Sequence, residues 1–239
     1  KWDRYQILQC YMVMGGIPFY LSLIDPRQSL VQNVDRLFFS HGGIMRGEFD
    51  ELYNALFSNA ELYISVVKAL AQHHDGMTRT EISKVIGANG GTLTRVLTNL
   101  ERCDFISRSQ NFGCKTKDTI YRLMDFYTLF YYKFIAQDTS GDEQWWSHNF
   151  ESRLVSTWQG LTFEIVCLMH TDCIKKALGI SGMATEVSSW RKVADDKQRG
   201  GQIDLVIKRA DRIVHLCEMK FSKSEYRITD AYEQLLRQR

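Results

Sequence analysis

The chain has 239 residues, 44% of them hydrophobic, 24% charged and 12% aromatic, with a formal net charge of +2. That suits one large globular domain or two to three small ones, and the near-neutral balance excludes nucleic-acid binding driven by whole-chain charge. Six cysteines occur with no Cys-x-x-Cys pair, mostly inside apolar runs, which argues against a structural zinc site and for a reducing, cytoplasmic setting. No signal peptide is visible. The longest apolar stretch, Cys10 to Ile24, is broken by Gly15-Gly16-Ile17-Pro18, so it is not read as membrane-spanning and no membrane partner is expected.

Residues 1–57 predict a helical segment with one sharp break, where the Gly-Gly-Ile-Pro run ends a helix. Val31, Val34, Leu37 and Phe38, then Phe49, Leu52, Leu56 and Phe57, recur at helical spacing. Residues 58–135 predict a helix on Leu62, Val66, Ala69 and Leu70. A short helix on Ile82, Val85 and Ile86 follows, capped by Thr78 or Thr80. After a turn over 87–91 comes a third helix on Leu93, Val96, Leu97 and Leu100, then strands over Phe105–Ser109 and Thr119–Leu123. Helix, short helix, turn, helix and hairpin is the winged helix-turn-helix order. In the third helix Thr92, Arg95, Asn99 and Arg102 share a face at three- and four-residue spacing, the face that would enter a major groove. From Arg79 to Arg122 eight Lys or Arg, Lys115 and Lys117 among them, stand against four acids, a local net of +4 that favours phosphate contact. The competing reading is a solvated face or a docking surface. His73 and His74, adjacent at a helix end, read as capping or solvated groups.

Residues 136–147 are polar and read as a linker to a third segment, 136–239. There a helix over Phe150–His170 precedes strands over Thr185–Val193, Gln202–Lys208 and Ile213–Lys220, and a helix starts at Asp230. The overall class is multidomain α+β. Asp204 sits in the middle of an apolar strand, where an unpartnered ionised carboxylate costs on the order of several kcal/mol. Period-2 geometry puts Glu218 and Lys220 on one face of the next strand, and a loop over Ala210-Asp211-Arg212 can bring Asp204 opposite Glu218. A Glu-x-Lys at a strand end is ordinarily a solvated edge; the buried Asp204 beside it is what suggests chemistry. Two carboxylates with a main-chain carbonyl, that of Met219, would make an oxygen-rich pocket suited to Mg²⁺ or Mn²⁺, with Lys220 orienting a water or stabilising negative charge.

Gly201-Gln202-Ile203-Asp204 followed by Glu218-Met219-Lys220 resembles the PD-(D/E)XK restriction-endonuclease-like superfamily. The resemblance implies an α/β nuclease-type core, with Glu164 of Gly160-Leu161-Thr162-Phe163-Glu164 as a further metal ligand and Gln234 as a further catalytic residue. Gly15 to Leu21 looks like the lid region of archaeal-type AAA+ (STAND-like) ATPases, and Tyr121–Tyr127 leading into Phe130–Ile135 is similar to the segment joining their winged helix to a C-terminal nuclease-like domain. This wider resemblance covers nearly the whole chain. It implies that the chain is a C-terminal piece whose partner is its own N-terminal ATPase core, that ATP binds only in that core, and that a further strand follows Arg239. No Gly-x-x-x-x-Gly-Lys-Ser/Thr loop is present. The expected function is a Mg- or Mn-dependent nuclease domain acting on nucleic acid and joined to a DNA-binding winged helix. The alternatives are a non-catalytic DNA- or partner-binding module on a relic nuclease fold, and a segment that covers or oligomerises the ATPase core.

Overall fold

The computed structural model describes residues 2–110, 112–113, 119–192 and 200–237. Its elements are mixed α and β, with two three-stranded sheets. The chain divides into two compact units, one of residues 1–108 and 121–159 and the other of 109–120 and 160–239.

The first unit opens with α1 (Arg4–Met14), whose N-terminus is closed by a reciprocal capping box between Asp3 and Gln6. Gly15, in the left-handed φ range at +68°, ends it. Pro18 occupies the first turn of α2 (Pro18–Ser22), where its missing N–H costs nothing. Next come α3 (Leu30–Val34), which continues as a π-type turn over Asp35–Phe39, and α4 (Ile44–Leu56).

After α5 (Ala60–Ala71) the order is β1 (Met77–Thr78), α6 (Arg79–Ile86), α7 (Gly90–Arg102), β2 (Ile106–Gln110) and β3 (Thr119–Leu123), with sheet order β1-β3-β2. Thr78, rather than Thr80, caps α6, in a box with Glu81. Gly87, at φ +69°, ends that helix. Val85, expected on the apolar face of α6, is exposed.

Next, α8 (Phe126–Phe130) runs into a second π-type turn, Tyr131–Ile135. Phe38 of the first π-type turn meets Phe130, the last residue of α8, with ring centroids 4.8 Å apart, and Phe130 meets Trp146 at 5.1 Å. Only the first part of the expected linker is solvated. From Trp145 the chain forms α9 (Trp145–Asn149), and buried Asp35 accepts the main-chain N–H groups of Trp146 and Ser147 at 2.9 and 3.2 Å. These are donors that a helix start leaves without intrahelical partners. The helix α10 (Arg153–Met169) spans the division at residue 159.

In the second unit α10 is followed by α11 (Thr171–Ala177), β4 (Thr185–Lys192), β5 (Gly201–Arg209), β6 (Val214–Cys217) and α12 (Asp230–Arg237). The strands pair antiparallel in the order β4-β5-β6. Leu205 and Ile207 of β5, Ile180 and Met219 form the buried core, and Phe163 and Cys167, one helical turn apart on α10, pack on it. The strand expected over Ile213–Lys220 is shorter than its sequence suggested and stops at Cys217. The physical reason lies at the site: the N–H of Met219 leaves the ladder and donates to the side chain of Asp204.

Candidate metal and nuclease-type site

Asp204 is 8% exposed in the middle of β5. Leu205 pairs with Cys217, the last residue of β6, so Asp204 lies next to the end of the ladder. The Asp204 carboxylate accepts the Met219 N–H on Oδ2 at 2.9 Å and a long contact from Gln202 Nε2 on Oδ1 at 3.4 Å. Burial holds Asp204 above the usual carboxylate range. The neighbouring acids Glu164 and Glu218 push the same way, against the Met219 N–H and Lys220. Asp204 is thus a carboxylate that burial disfavours as an anion.

Glu218 and Lys220 lie just beyond β6, and their side chains meet: Lys220 Nζ donates to Glu218 Oε1 at 2.7 Å. The Tyr232 hydroxyl, from α12, donates to the same oxygen at 2.6 Å. Burial pulls the Lys220 ammonium down, yet its hydrogen bonds to Glu218 and Tyr232 outweigh this and hold it above the ordinary lysine value. Lys220 is therefore a cation at neutral pH, suited to stabilising negative charge rather than to taking a proton.

The donor set is chemically selective. Asp204, Glu218 and Glu164 offer hard carboxylate oxygens, the ligands that Mg²⁺ and Mn²⁺ prefer. Burial, with Glu164, Asp204 and Cys217 nearby, pushes the Cys167 thiol up to about 11, so at neutral pH it is not a competing thiolate. Among the described residues no three His, Cys, Asp or Glu side chains are gathered into a ready-made ligand set.

Of the expected site residues, Glu218 and Lys220 meet side chain to side chain, and Glu164 and Glu218 act on Asp204 through their charge. Gln234 is exposed on α12, while Tyr232 reaches Glu218. Residues two apart on a helix point some 200° apart, so Gln234 is turned away from Glu218. A phenol in the first turn of the closing helix was the available signal for Tyr232.

On α7, Thr92, Arg95 and Arg102 are exposed. Asn99 is partly buried, and its Nδ2 donates to the Tyr63 hydroxyl of α5 at 2.8 Å, which ties it to the helix packing. Lys115 and Lys117 lie outside the described residues. Compared with known proteins, the chain matches no family model, no curated protein and no solved structure.

Proposed function

We propose that the second unit is a divalent-metal-dependent phosphodiesterase domain of the PD-(D/E)XK type, acting on nucleic acid. The observation that carries this reading is the buried Asp204 carboxylate, raised by burial and by the charges of Glu164 and Glu218, which a divalent cation would offset. Asp204 and Glu218 would hold the ion, with Glu164 beside them. Once bound, such an ion polarises a phosphoryl oxygen and lowers the pKa of a coordinated water. Lys220 supplies a fixed positive charge next to the carboxylates for the developing negative charge of the reaction. Gln234, exposed on α12, would have to act from the substrate side.

In the same reading α5 to β3 form a winged helix, the first 57 residues a lid-like segment, and the chain belongs to an AAA+ ATPase of the cytoplasm whose ATP site lies in another region. The order of helices and strands, with the sheet β1-β3-β2, supports the winged helix. No described helix is long and apolar enough to cross a membrane. The test is incubation of the protein with Mn²⁺ or Mg²⁺ and DNA or RNA of varied form. Metal-dependent cleavage that Asp204→Ala abolishes is expected; cleavage that survives this substitution, or none by the parent protein, sinks the reading.

A second reading is a binding module with a relic nuclease fold. The exposed Thr92, Arg95 and Arg102 of α7 favour it, and it is separated from the first by salt-dependent DNA binding without metal affinity.

A further inference from the structure

The closing helix brings to the site a residue outside the Asp and Glu-x-Lys pattern. The Tyr232 hydroxyl donates to Glu218 Oε1 at 2.6 Å, and Lys220 Nζ donates to the same oxygen at 2.7 Å. Lys220 Nζ also stands 5.5 Å from the centre of the Tyr232 ring, within cation–π range. One side chain thus touches both charged members of the pair, the hydroxyl meeting the carboxylate and the ring meeting the ammonium.

The start of α12 fixes where this phenol sits. Thr229 accepts the Tyr232 N–H on Oγ1 at 3.3 Å and the Glu233 N–H on its carbonyl at 2.9 Å, which sets the first turn and the direction of its side chains. The Tyr226 ring, 6.2 Å away and edge-on, adds a second support. A phenol is a neutral donor. It restrains the Glu218 carboxylate while leaving that group's negative charge for a cation, which a second ammonium in its place would cancel.

We propose that Tyr232 is a positioning residue of this site: its hydroxyl orients Glu218 for a divalent cation, and its ring holds Lys220 alongside. The inference rests on the metal-site reading above. Substituting a group that orients a metal-binding carboxylate lowers metal affinity by about 10- to 100-fold.

The experiment is a Mn²⁺ titration of the purified protein followed by electron paramagnetic resonance of the free and bound ion, together with thermal melting. Y232F, which keeps the ring and loses the hydroxyl, is expected to weaken Mn²⁺ binding about 10-fold at an unchanged melting temperature. Y232L, which loses both, is expected to weaken it at least as much. E233A, which removes the Glu233–Arg237 ion pair of the same helix, is expected to bind Mn²⁺ like the parent. Equal affinity of Y232F and the parent overturns the inference alone. An equal loss in E233A does so too, because any disturbance of α12 would then suffice. Absence of Mn²⁺ binding by the parent overturns the metal reading and this inference with it. If Y232L does not fold, Y232F against the parent decides.

Discussion

At the scale of single residues, Asp204 has the largest consequence. Its carboxylate is buried in an otherwise apolar strand and held above the usual carboxylate range by burial and by Glu164 and Glu218. A group raised in this way contributes stability that is fully present below its unfolded pKa and is lost as pH rises through the folded value. The metal-free protein should therefore lose stability as pH rises above the ordinary carboxylate range, in part through this residue. Asp204→Asn keeps the shape and one acceptor oxygen for the Met219 N–H while removing the charge. It should stabilise the metal-free protein at pH 7 by on the order of 1 kcal/mol and flatten that part of the pH profile. Urea denaturation at several pH values in the presence of a chelator measures this; a less stable Asn variant at pH 7 would show that the carboxylate is well satisfied as an anion. Asp35 is also buried and raised, by burial first, but its partners are the Ser147 hydroxyl and N–H and the Trp146 N–H at the start of α9. It serves a helix start, and it lies in the other unit.

At the scale of elements, the β5–β6 hairpin sets the site, because it pairs Leu205 with Cys217 and brings the Met219 N–H to the Asp204 carboxylate. Its turn is closed by the Arg209 N–H donating to the Ile213 carbonyl at 2.8 Å, with Arg212 at φ +69°. A non-glycine residue in that region carries a steric cost that glycine avoids. Arg212→Gly should stabilise the protein by about 0.5–1 kcal/mol, net of the entropy that glycine adds to the unfolded chain, without changing the pairing; thermal melting and amide exchange in β6 check both parts. This hairpin was legible in the sequence, since two apolar runs of strand length flank a short polar stretch, and so was the meeting of Glu218 with Lys220. The end of β6 was not. Sequence periodicity continues through Met219, and only the three-dimensional position of Asp204 shows a side chain taking the place of a backbone acceptor. Tyr232 escaped for a similar reason, because the rotation of α12 cannot be read from a pattern of residue types. The short helices α9 and α11 escaped because they hold too few residues to display a period.

At the scale of the whole molecule, the net charge of +2 means that any grip on nucleic acid must come from a local patch. If α7 provides it, Arg95→Ala and Arg102→Ala should each weaken DNA binding for all sequences alike and lower the slope of log affinity against log salt by about 1. Filter binding or anisotropy at several salt concentrations would show this, and unchanged slopes would remove α7 from the interface. In the first unit meanwhile Phe39 and Phe134 of the two π-type turns, with Phe130 just before the second, pack on Trp145 and Trp146. An α-helix turns by about 100° per residue, so the one extra residue accommodated in each π-type turn acts as a spacer of fixed length. Removing a residue from 35–39 or from 131–135 would swing the aromatics beyond it out of register with their partners. In any lineage descended from this fold, the length of those two short segments should vary less than the residues that fill them.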